Sequence, residues 1–115
     1  MEPKRLGQVK DFTAMFVPTG DYDLYVAEYV EGGTALMAVT PETGEEYFTA
    51  SVFLPGRIQR DPNTIWVKSW SENEGIMEEL VAHGVIELTG QTAGSGFVTA
   101  HEAVIQDAGN WNKDD

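Results

Sequence analysis

The chain contains no cysteine. That excludes a disulfide framework, a thiolate nucleophile and any Cys-ligated zinc site. Only two histidines are present, His83 and His101, so a Ser–His pair would have to be built from one of them. Gly94, Ser95 and Gly96 superficially resemble a nucleophile elbow, but the pattern G-x-S-x-G fails on both flanks. No apolar run approaches the roughly 20 residues that cross a bilayer. The amino-terminal MEPKRLGQVK carries charges with no apolar stretch behind them, so no signal peptide is expected. A cytoplasmic protein follows as the expectation. Basic residues are scarce as well: 7 Lys and Arg stand against 19 Asp and Glu, a net charge of −12. Such a field repels phosphate backbones and anionic lipid. Direct nucleic-acid binding and membrane association are therefore excluded, because duplex affinity depends on neutralising phosphates with Lys and Arg.

The acids that are present are unevenly distributed. Eight lie between Asp11 and Gly56 (Asp11, Asp21, Asp23, Glu28, Glu31, Glu42, Glu45, Glu46) with no Lys or Arg among them. Seven more lie between Ser69 and Asn112 (Glu72, Glu74, Glu78, Glu79, Glu87, Glu102, Asp107), again unrelieved. Two readings stand side by side. Acidic surfaces keep small domains soluble, and an acidic host proteome gives the same statistic. A strongly negative surface also raises encounter rates with positive partners.

At 115 residues the chain is expected to form one domain. Residues 1–20 read as an amino-terminal arm closed by Pro18, Thr19 and Gly20, 21–108 as the domain, and 109–115 as a polar, frayed tail. Leu24–Val30 is rich in β-branched and aromatic residues and reads as a strand. A Gly32–Gly33 turn leads to a returning strand over Ala35–Val39, and Pro41–Gly44 to a third over Glu46–Leu54. Thr64–Trp70, Val85–Thr89 and Phe97–Ile105 read as further strands, with Gly90–Gly96 a loop. Ser71 followed by Glu74 has the spacing of a capping box. Ile76, Met77, Leu80 and Val81 form an apolar stripe, and Gly84 sits where a left-handed cap ends a helix. The expectation is an α+β fold: a mostly antiparallel sheet of five to six strands, with one helix over about 72–83 packed on one face.

None of the catalytic patterns is persuasive. Glu74 and Glu78, four apart on the expected helix, repel weakly and lie on an open face rather than in a cleft that shifts a pKa. Asp21-Tyr-Asp23 and Gly44-Glu-Glu46 lack a calcium-loop pattern. Gly90, Gly94 and Gly96 lack the lysine and following helix of a phosphate cradle. Tyr25, Tyr29, Tyr47, Phe53, Trp66 and Trp70 could line a second sheet face, for which Phe12–Val17 is the obvious lid. No catalytic residue, cofactor or metal is expected.

The segment VKSWSENEGIMEELVAHGVIELTGQTAGSGFV, Val67 to Val98, resembles a family of small acidic proteins carried by phages and integrative conjugative elements. The resemblance rests on Lys68, Trp70, the Ser71-Glu-Asn-Glu-Gly75 motif, Gly84, Val85, Ile86, Thr89, Gly90 and Ser95 to Val98, and extends over roughly Gly33 to Ile105. It implies a mobile-element setting, in which small acidic proteins counter host defence, some by placing carboxylates where duplex phosphates would sit. The expected function is an anti-CRISPR protein of the DNA-mimic type, acting in the host cytoplasm on the basic DNA-binding surface of a CRISPR effector. A restriction enzyme is the second candidate target. The alternative is a mobile-element protein-interaction module whose acidity is incidental. Candidate contact residues are Glu72, Glu74, Glu78 and Glu79 on the helix, with Asp21, Asp23, Glu28 and Glu31, or Glu42, Glu45 and Glu46 at the hairpin turn. A monomer is favoured.

Overall fold

Two long strands at the amino-terminal end start the fold. β1, Lys4–Ala14, and β2, Val17–Glu28, form an antiparallel hairpin joined by Met15 and Phe16. The computed structural model describes residues 3–59 and 61–112; Arg60 and positions 113–115 of the expected tail lie outside the described residues. β3, Thr34–Val39, and β4, Glu46–Thr49, complete a four-stranded sheet of order β1-β2-β3-β4. β5, Thr64–Val67, β6, Ile86–Ser95, and β7, Val98–Ile105, form a second sheet of order β5-β7-β6. One α-helix, α1, Ile76–Ala82, packs against β1 and β6.

The α+β class and the antiparallel pairing are as the sequence reads, but the strands number seven and fall into two sheets. A short crossing segment joins the sheets. The Ala50 N–H donates to Leu36 O at 2.8 Å, while the N–H groups of Val52 and Lys68 exchange bonds with Trp66 O and Ala50 O. The third expected strand is thereby cut short. Ser51 is buried and its hydroxyl accepts from the Leu36 N–H at 3.0 Å, so a side chain takes the place of a ladder acceptor. Trp66 and Leu54 are buried in a small apolar cluster with Ala93 and Ala100, against which half-buried Trp70 packs. The indole N–H of Trp66 donates to Arg57 O.

The amino-terminal segment is not an appended arm. Val9, Phe12 and Val17 are in the main core, with the Phe12 ring stacked on Phe48 at 5.6 Å. Pro18 is tolerated because β2 pairs with β3 only from Asp23 onward, so no ladder bond is lost there. Phe12–Val17 is correspondingly no lid: its ends are core and its middle is the hairpin tip. The expected frayed tail is also packed as far as Asn112. Trp111 is buried in the main core, and a Cβ on Gly7 would stand 2.9 Å from its ring. Asn112 closes the edge of β1 by accepting from the Lys10 N–H and donating to Gln8 O.

Two further corrections concern glycine. The expected Gly90–Gly96 loop is strand: β6 continues through it to Ser95, with a bulge between Leu88 and Thr92, and only Gly96 and Phe97 make the turn. Glycine content alone does not separate a bulged strand from a loop. The helix is shorter than 72–83, and Ser71 and Glu74 form no capping box. Ser71–Asn73 is instead a 3₁₀ turn, and Gly75, with φ of 88°, turns the chain left-handed before α1 begins. The carboxyl end is as expected. Gly84 is left-handed, the Val85 N–H bonds Leu80 O and the Gly84 N–H bonds Val81 O, which is a Schellman cap.

Candidate functional site

The SENEG motif divides into a structural centre and an exposed rim. Asn73 is buried, and its amide donates to Thr49 O at 2.7 Å and to Lys68 O at 3.3 Å. One side chain thus ties the end of β4 to the end of β5. This demand on Asn73 explains why residues 71–75 leave the helical path. Sequence reasoning passed over Asn73 because its role needs two carbonyls that are 24 and 5 positions away. Glu72 meets Lys68 at 2.8 Å, so the acids of this stretch are not unrelieved. The Lys68 ammonium, helped by its own backbone N–H and the Ser71 hydroxyl, lowers the Glu72 carboxyl to about 2. Glu74 and Glu78 are exposed.

Glu79 has a structural role too. Its Oε2 accepts the Thr13 N–H at 3.1 Å, fastening α1 to β1. His83 acts beside it: Nδ1 lies 2.9 Å from Glu79 O and Nε2 lies 2.7 Å from Lys10 O. Asp23 is similarly engaged, 3.0 Å from Arg5 across the β1–β2 ladder, with the Gln8 amide at 3.3 Å.

The remaining candidates separate by position along the first sheet. Asp21 is likewise engaged, its Oδ1 accepting the Asp11 N–H of β1 at 3.0 Å, whereas Asp23 pairs with Val39, which leads into the turn that holds Glu42 and Glu45. Glu42 is near enough to Tyr22 to help raise its hydroxyl pKa, after burial and alongside Tyr47. Glu46 and Glu72 line one open cavity of about 450 Å³, walled by Tyr29, Tyr47 and Phe53. The joint between the 3₁₀ turn and α1 abuts the hairpin tip: a Cβ on Gly75 would lie 3.6 Å from Ala14 Cβ and 3.7 Å from Met15 N. Glu42, Glu45, Glu46, Glu72, Glu74 and Glu78 therefore lie toward one end of the first sheet and the start of α1. Glu28 and Glu31 do not join them. They stand at the β2–β3 turn, and the seven steps along β2 from Asp21 to Glu28 span about 23 Å.

The structure adds Met15 and Phe16, which are 66% and 60% exposed at the hairpin tip beside Glu74 and Glu78. A two-residue hairpin turn is normally built from Gly, Asn or Asp, so two large apolar side chains there are unusual. The Met-Phe pair within an apolar run gave no sequence signal, because strand and turn look alike until the register is known. Among the described residues, no three His, Asp or Glu side chains are placed to share a metal ion, and no helix is long and apolar enough to cross a membrane. No protein-family model, curated protein or solved structure matches the chain.

Proposed function

We propose that the protein is a non-enzymatic inhibitor whose acidic surface occupies the basic DNA-binding surface of a host defence complex. The observation that carries this reading is the grouping of six carboxylates at the end of the molecule that holds the exposed Met15–Phe16 tip. Interfaces are held by a few buried apolar anchors inside a polar rim, and this surface has both parts. Met15 and Phe16 enter an apolar recess of the partner, and the carboxylates around them meet its Lys and Arg residues. The longest dimension of the molecule is 36 Å, about one turn of duplex, so one such surface covers a binding channel for a short stretch of DNA.

The partner class follows from the SENEG resemblance together with the charge. A CRISPR effector acting in the bacterial cytoplasm is the first candidate and a restriction enzyme the second. The test is charge reversal in two sets, read out as inhibition of target-DNA binding by a purified effector. Glu42, Glu45, Glu46, Glu74 and Glu78 changed to Lys abolish inhibition, whereas Glu28→Lys with Glu31→Lys leaves it within a few-fold. Equal loss from both sets would assign the effect to net charge and overturn the reading, as would no loss from either.

A further inference from the structure

We infer that the free edge of β6 pairs with the same edge of a second copy, forming a two-fold dimer with a continuous antiparallel sheet. Two of the outer strands, β1 and β6, are treated very differently by the fold. Along β1, the Lys10 N–H bonds Asn112, the Lys10 carbonyl faces His83, and the Thr13 N–H bonds Glu79, so side chains take up the outward backbone groups. β6 is the outer strand of its sheet. Among the described residues, the backbone from Leu88 to Gly94 has no partner beyond β7 except at the Gln91 N–H, which bonds the Thr89 hydroxyl. Ser95 and Val98 close a two-residue turn and exchange both ladder bonds, so the N–H and C=O groups of Thr92 and Gly94 point away from β7.

Charge selects the occupant. A chain of net −12 repels its own copies, yet Leu88 through His101 contains no Asp, Glu, Lys or Arg, the longest such run in the sequence. Natural edges are usually blunted by Lys, Pro or an inward charge, and β6 has none of these between Leu88 and Ser95. The outer edge of β4 carries Glu46, whereas the unpaired stretch of β6 carries no charge, so two copies approach along β6 without like-charge contact between the pairing residues. Antiparallel pairing centred near Thr92 brings Phe97 of one copy, fully exposed at the hairpin tip, beside Leu88 of the other, itself 40% exposed. Glu87 of each copy then lies opposite the uncharged turn, not opposite its twin.

The test is sedimentation velocity with light scattering across a protein concentration series, at low and raised salt. Wild-type protein shifts from one to two chains as concentration rises. Raised salt strengthens the dimer, because it screens the net repulsion without touching an uncharged interface. Thr92→Pro, which removes an edge donor, stays monomeric. Gly94→Lys, at a site with open space around it, also stays monomeric and retains the wild-type circular dichroism spectrum, which covers the case in which proline disturbs the hairpin. A wild-type chain that remains monomeric throughout the series would overturn the inference, as would a dimer that survives Gly94→Lys or weakens in raised salt. Inhibition by the acidic surface is read separately, so either proposal can fail without the other.

Discussion

Asn73 shows what a single residue holds in this fold. Its amide supplies two donors to two carbonyls at the junction of the sheets, and no water-exposed substitute can reach them. Asn73→Ala leaves a buried acceptor unpaired, at a cost of about 1–3 kcal/mol; Asn73→Asp turns a donor into an acceptor facing the same carbonyls and costs more. Urea denaturation of both variants gives the ranking, and Glu74→Gln, at the adjacent exposed position, stays within about 0.5 kcal/mol of wild type. Glu72 offers a second residue-scale measurement. Its carboxyl titrates near 2, chiefly because Lys68 donates to it. A lowered carboxylate pKa stabilises the fold above the ordinary value of 4.5, and that contribution is lost as pH falls through about 2. The group is exposed, so solvent screening keeps that contribution small and the titration is the direct readout. Side-chain NMR should place the Glu72 midpoint near 2 in the wild type and return it toward the ordinary carboxylate range in Lys68→Met.

Among the elements, α1 depends most on its surroundings. Seven residues are too few to hold a helix in water, and its amino-terminal cap makes no side-chain bond. Stability comes from Ile76, Met77 and Leu80, all buried in the main core, and from the Schellman cap at Gly84. Leu80→Ala costs about 2–5 kcal/mol and lowers the helical signal together with the global transition, since the helix has no independent stability. The β1–β2 hairpin behaves in the opposite way. Met15→Ser with Phe16→Ser alters exposed positions and changes stability by about 0.5 kcal/mol or less, yet under the proposed function it weakens binding to the effector at every salt concentration. Chemical denaturation and titration calorimetry separate the two effects. Elements were legible where pattern and chemistry agreed: the Gly32–Gly33 turn, Thr34–Val39, and the helix stop at Gly84. They were misread where one residue served a distant partner. Ser51 ended a strand by replacing a backbone acceptor, and Asn73 displaced the helix start by four residues, from about Glu72 to Ile76.

At the scale of the whole molecule, charge sets the expected salt response. Of the eleven candidate acids, Asp21, Asp23 and Glu79 are bound into the fold, Glu28 and Glu31 stand at the far turn, and the other six, with Glu72 paired to Lys68, lie toward one end. A net charge of −12 in a body of 36 × 29 × 25 Å is self-repelling. Raised salt therefore raises the melting temperature and, by the same screening, weakens binding to a basic partner. A salt series of thermal melts beside a salt series of effector binding should show opposite slopes.

The amino-acid sequence by itself determined the composition-level facts: an acidic chain without cysteine, short enough for one core, with strand and turn signals that specify an antiparallel α+β fold. These are local or additive properties, read over a few neighbouring residues or summed over all of them. Only the tertiary structure decided which carboxylates share a surface, which are tied to Arg5, Lys68 or Thr13, and that Asn73 is the centre of its motif. Each of those outcomes depends on strand register and on contacts between residues far apart in the chain, and neither is encoded in the spacing of residues along it.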